Sequence, residues 1–115
     1  MNSSSCIFCG IVAGEIPSTK ILETDSVLVI KDIAPKAPIH YQILPKKHIQ
    51  DLRDLTVEDH ALAGDLLLVA QTLAKQLVLP GSFKLVSNNG KEAGQIIMHA
   101  HIHFLAGKVH FKELV

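Results

Sequence analysis

The sequence predicts an α+β fold, in which one antiparallel sheet carries a long helix and a short helix stands at the N-terminus. Three observations lead there. Apolar residues recur at helical spacing along one long segment after Thr56, and shorter runs rich in Val, Ile and Leu read as strands. Some of these runs are joined by connections too short for the crossover that parallel strands require. The chain has 115 residues, which fits a single domain spanning 1–115.

Taken in order, residues 6–13 form the short helix, ended near Gly14, and Ile16-Pro17-Ser18 breaks the chain. Ser26 to Ile30 reads as a strand. Residues 34–38 must be loop, because Pro35 and Pro38 forbid a regular ladder. His40 to Leu44 is the next strand, stopped by Pro45. The long helix opens at Thr56, with Asp59 three residues on completing an approximate capping box. Leu62, Leu66, Val69, Leu73 and Leu77 make its stripe, widened by Leu67, Leu68 and Ala70, and Pro80-Gly81 ends it. Phe83 to Ser87 is a third strand, Asn88-Asn89-Gly90 a turn, residues 90–95 a loop, and Ile97 to Ala106 a fourth strand.

Composition narrows the function. The chain is 48% hydrophobic and only 19% charged, which leaves apolar surface for a partner, most simply a second copy of itself. Lysine plus arginine equals aspartate plus glutamate at 11 each, so the basic field of a general nucleic-acid binder is absent. No apolar run reaches the length of a membrane span. The N-terminal Met1-Asn2-Ser3-Ser4-Ser5 has no basic segment leading into an apolar one, and the expectation is a cytoplasmic protein.

The chemistry concentrates at His99-Ala100-His101-Ile102-His103. On a strand the three histidines share one face, about 7 Å apart in succession, while Ala100, Ile102 and Phe104 face a core. With 7 histidines in the chain, chance supplies such a run only about 0.025 times. Two readings fit. One is a shared catalytic metal ion, as in a metal-dependent hydrolase. The other is nucleophilic catalysis by one imidazole, its neighbours orienting it and moving protons, for which phosphorus is the natural electrophile. Asn88-Asn89-Gly90 and Gly94-Gln95 precede the run with amide donors suited to phosphoryl oxygens. A third reading is a nucleotide-binding adaptor whose turnover is incidental.

Cys6-x-x-Cys9 supplies two thiols at zinc spacing, and in a reducing compartment reads as a redox motif or half a metal site. A closed tetrahedral site needs two more ligands, which the histidines on or beside strands could provide: His40, His48, His99, His101 and His103.

The sequence resembles the histidine-triad (HIT) nucleotide-binding family over nearly its whole length. The family signature of three histidines alternating with apolar residues stands here in full as residues 99–105. Ile7-Phe8, Glu15-Ile16-Pro17, Asp32-Ile33-Ala34-Pro35, Ala37-Pro38-x-His40, Pro45-Lys46-Lys47-His48-Ile49 and Gly94-Gln95 are similar to the small nucleoside-phosphoramidase branch. The resemblance implies that His101 is the nucleophile, that His103 contacts the phosphate and assists the leaving group, and that His40 stands behind His101 and orients it. It implies that Asp32 holds the ribose hydroxyls, that Phe8, Ile16 and Ile33 line the base pocket, and that Asn88, Gly94 and Gln95 lie along the phosphate. The substrates implied are nucleoside phosphoramidates or related purine mononucleotide derivatives, and the assembly a homodimer. Ile96 is a departure, since the branch commonly places a serine there, against the phosphate or leaving group. Relatives with the cysteine pair, similar in this to galactose-phosphate uridylyltransferases, use it for zinc. The implied ligand set is Cys6, Cys9, His48 and His99, a structural ion with none required for catalysis.

Overall fold

In the computed structural model, which describes residues 6–78 and 80–107, five antiparallel strands form one sheet with helices on both faces. Met1–Ser5, where a leader was sought, lie outside the described residues. Helix α1 is Ile7–Val12 and strands β1, β2 and β3 are Lys20–Glu23, Val27–Lys31 and Ile39–Pro45. Helix α2 is His60–Lys75, followed by β4 at Phe83–Val86 and β5 at Ile102–Ala106. The strand order is β1-β2-β3-β5-β4.

Alternation along the strands sorts the residues between two cores. Val27, Val29, Ile43, Ile102, Phe104 and Ala106 pack beneath α2, against Leu66, Val69, Ala70 and Leu73. Leu28, Ile30 and Leu44 point the other way and pack with Cys6, Phe8 and Ile11 at α1. Strand β2 is buried on both faces, which is why its sequence shows almost no alternation. The same rule puts His40, Gln42 and His103 on the α1 face, so one small helix roofs the chemistry while the larger one carries the main core.

Three differences from the sequence reading have physical causes. Strand β1 was not expected; it is an edge strand of four residues, irregular in register between Lys20 and Leu22, too short to carry a period. The long helix begins as a 3-10 turn at Val57–Asp59, where the Thr56–Asp59 capping box closes, and becomes α-helical from His60. Leu67 and Leu68 do not widen its buried stripe, being 61% and 60% exposed.

The third difference matters most. The expected strand from Ile97 is regular only from Ile102, and residues 97–101 lie outside the ladder. Strand β4 ends at Val86, opposite His103, and the pairing with β3 stops at Ile43↔Ile102 although β3 itself runs on to Pro45, so the histidine segment turns away from its neighbour. The Ala100 N–H turns instead to the Ile49 carbonyl at 2.8 Å. The His99 carbonyl is therefore not consumed by a strand partner.

Candidate functional site

That carbonyl receives the Nδ1–H of His101 at 2.8 Å. A carbonyl can only accept, so the proton sits on Nδ1 and the Nε2 lone pair of His101 is left for chemistry. The ring is held edge-on by Phe8 of α1, with centroids 5.2 Å apart, and by His103 at 5.1 Å. Ser87 Oγ donates to the His101 carbonyl at 3.0 Å and pins the backbone below it.

His103 is set in the opposite sense. The Lys36 N–H donates to His40 Nδ1 at 3.0 Å, so neutral His40 carries its proton on Nε2. That nitrogen lies 2.9 Å from His103 Nδ1 and 3.3 Å from Asp32 Oδ2. His103 Nδ1 thus accepts, and its own proton resides on Nε2. Burial, reinforced by the neighbouring His101 and His40, lowers the His103 pKa to about 4. Burial also lowers that of His40, opposed by Asp32. Both rings are neutral at pH 7 in the free protein. The expectation that His40 orients His101 is corrected by these contacts: His40 stands behind His103, and the backbone of His99 does the orienting of His101.

Asp32 closes the chain of contacts. Its Oδ1 accepts from the Ala34 N–H at 2.8 Å and its Oδ2 from Gln42 Nε2 at 2.7 Å. Burial opposes ionisation, but these two bonds and the facing histidines outweigh it and lower the carboxyl pKa. Beside this group opens a cavity of about 520 Å³, walled largely by apolar side chains that include Phe8, Ile16, Ile30, Ile33 and Ile97, with Gln42 in its lining. Gly10 permits the wall, since a Cβ there would meet Ile16 Cδ1 at 2.6 Å. Phe8, Ile16 and Ile33, expected in a base pocket, come together here.

The loop before the histidines is built differently from expectation. Gln95 is buried; its Oε1 accepts from the Gly90 N–H at 2.8 Å, and its Nε2 donates to the carbonyls of Gln50 and Ile97 at 2.7 and 2.9 Å. Its own N–H goes to the Gly90 carbonyl and that of Gly94 to the Lys91 carbonyl. Gly94 takes φ +98°, a conformation only glycine adopts without strain. Gln95 and Gly94 thus spend their donors on the loop rather than offering them to a phosphate. Asn88 lies against Gly94, and Ile96 is 89% exposed.

His99 belongs to a second centre. Its Nε2–H donates to the Pro45 carbonyl at 2.8 Å, which turns the Nδ1 lone pair toward the cysteines. There Cys6 Sγ, Cys9 Sγ, His48 Nδ1 and His99 Nδ1 all lie within 4.8 Å of one another. The separations include 3.2 Å between the two nitrogens and 3.2, 3.4 and 3.6 Å between sulfur and nitrogen. Metal–sulfur and metal–nitrogen bonds of about 2.3 and 2.0 Å, set tetrahedrally, give edges of roughly 3.3–3.8 Å, so this donor set fits one ion. Burial, with Cys6 adjoining, pushes the Cys9 thiol up to about 11. The three histidines of the run are thus divided between two centres. Sequence reading missed Gln42, Ser87 and the Lys36 N–H. Period-two spacing from His40 would have found Gln42; nothing local marks the other two.

Fold and site together define an α+β domain with a histidine centre beside an apolar cavity and a separate thiol–imidazole cluster. The HIT domain model matches residues 13–110. An uncharacterised HIT-like protein of Synechocystis sp. is 45% identical over 102 residues, covering 89% of this chain and 90% of its own length. A HIT family hydrolase from Legionella pneumophila superimposes with a TM-score of 0.88 at 37% identity, over 94% of this chain and 97% of that one. A zinc-bound histidine triad family protein from Mycobacterium smegmatis gives 0.81 at 33% identity, over 96% and 81%. The chain belongs to the HIT family.

Proposed function

We propose that the protein is a hydrolase or transferase of nucleoside phosphoramidates and related purine mononucleotide derivatives, acting through a nucleotidyl group on His101. The observation that carries this is the pair of opposed tautomers: a bare Nε2 on His101 beside an Nε2–H on His103. His101 Nε2 attacks phosphorus and the P–N bond breaks. The amine leaves with a proton from His103, which the bound phosphate anion favours in its imidazolium form, the added Nδ1–H turning from His40 toward Asp32 Oδ2, 3.9 Å away. The positive charge left on nucleotidyl-His101 is stabilised by the His99 carbonyl at Nδ1–H. Water then attacks phosphorus, the P–Nε2 bond breaks, and the water's proton returns to neutral His103. The base lies in the apolar cavity lined by Phe8, Ile16 and Ile33, and the ribose rests against Asp32.

Cys6, Cys9, His48 and His99 would hold a structural zinc, a reading supported by their mutual distances and by the zinc-bound relative. When bound, zinc would ionise the thiols and tie α1 to the histidine segment, with no open position for substrate. The exposed Leu67 and Leu68 support a homodimer.

His101→Ala tests the nucleophile: turnover of an adenosine 5′-phosphoramidate should vanish while AMP binding persists, and intact-mass measurement of the wild type should reveal a nucleotidyl adduct. Persistent turnover in the variant refutes the assignment. AMP binding without any turnover by the wild type identifies an adaptor instead.

A further inference from the structure

Gln42 stands where the histidine centre meets the largely apolar cavity, and half of its amide has no partner. On β3 it stands opposite Ile30 of β2 and His103 of β5, on the α1 face. Its Nε2 is clamped by Asp32 Oδ2 at 2.7 Å. Its Oε1 is buried without a hydrogen bond, alone in this among the buried side-chain nitrogens and oxygens of the described residues. Turning the amide over does not relieve it, because the carbonyl would then confront the Asp32 carboxylate. A buried acceptor left unpaired is costly, and a ligand supplying a donor recovers that cost.

The position says what kind of donor. Gln42 is in register with His103 and bonded to Asp32, so it sits toward the phosphate and sugar rather than at the Ile33 end of the cavity. Asp32 already accepts from Ala34 and Gln42 and faces His40, which leaves its carboxylate limited capacity for further donors. A vicinal diol carries two donors. Resting on the nucleotide reading above, we propose that Gln42 selects the sugar, its Oε1 accepting from one ribose hydroxyl while Asp32 accepts from the other. Ribonucleotides are then preferred over deoxyribonucleotides.

The test is calorimetric binding of AMP, 2′-deoxy-AMP and 3′-deoxy-AMP to the wild type and to Gln42→Leu. The wild type should bind AMP roughly tenfold more tightly than at least one deoxy analogue, the scale of a single recovered hydrogen bond. In Gln42→Leu that ratio should fall to within about twofold. Gln42→Met, unbranched and similar in length, carries the same comparison if the leucine variant does not fold. Equal binding of all three nucleotides by the wild type, or an unchanged ratio in the variants, overturns the assignment of Gln42 and leaves the nucleotide reading standing. Failure of the wild type to bind AMP at all removes both.

Discussion

Replacing His40 by leucine tests whether the tautomer of His103 is imposed from behind. The change removes the acceptor of the Lys36 N–H at 3.0 Å and the donor to His103 Nδ1 at 2.9 Å. With His40 gone, Asp32 Oδ2, 3.9 Å from His103 Nδ1, is an acceptor left on that side of the ring. A carboxylate draws a proton onto the nitrogen facing it, so the ring should settle with Nδ1–H toward Asp32 and a bare Nε2 toward the substrate. The site then loses one hydrogen bond to a charged phosphoryl oxygen or leaving group, worth about 1.5–3 kcal/mol. That corresponds to a fall in kcat/KM of roughly 10- to 150-fold. The assay is turnover of an adenosine 5′-phosphoramidate, with ¹⁵N NMR of the histidine rings reporting the tautomer independently. His40→Gln, which keeps one acceptor and one donor, should recover part of the loss. A kcat/KM within twofold of the wild type, or an Nε2–H retained on His103 in the leucine variant, would refute the reasoning.

Two further outcomes follow from the same geometry. Protein prepared without a polyhistidine tag should carry about one zinc per chain by native mass spectrometry, lost in Cys9→Ser; metal-free protein with both thiols freely titrating in the native state removes the zinc reading. Stability should fall in acid: the His103 pKa is held at about 4 in the folded state by burial and by His101 and His40, below its ordinary 6.5. The unfolded chain binds the extra proton between those values, so stability rises with pH through that window and is lost as pH falls across it. The cost of going from pH 7 to 5 is roughly 2 kcal/mol, measured by urea unfolding and absent from His103→Gln; an identical pH dependence in that variant contradicts it.

Much of this is legible in the sequence itself. The two-residue period assigned His40, His103 and the core positions Ile102 and Phe104 to opposite faces, because that alternation is a property of extended backbone itself. The Thr56–Asp59 cap and the leucine stripe placed the long helix for the same local reason. Cys6 and Cys9 stand at zinc spacing in the sequence, the family resemblance adds His48 and His99, and the fold brings the four together.

What the sequence determined alone is the set of chemical groups and the face on which each strand displays them. The tertiary structure decided which partner each imidazole meets, and hence where its proton lies. Residues 97–101 turn away from β3, which itself runs on to Pro45, and that break frees the His99 carbonyl to hold His101. His40 reaches His103 rather than His101 because it lies across the β3–β5 pairing from that end of the run. A proton's location on a ring is set by donors and acceptors about 3 Å away, and here those come from residues 63 positions apart in sequence or from backbone that no side-chain pattern records.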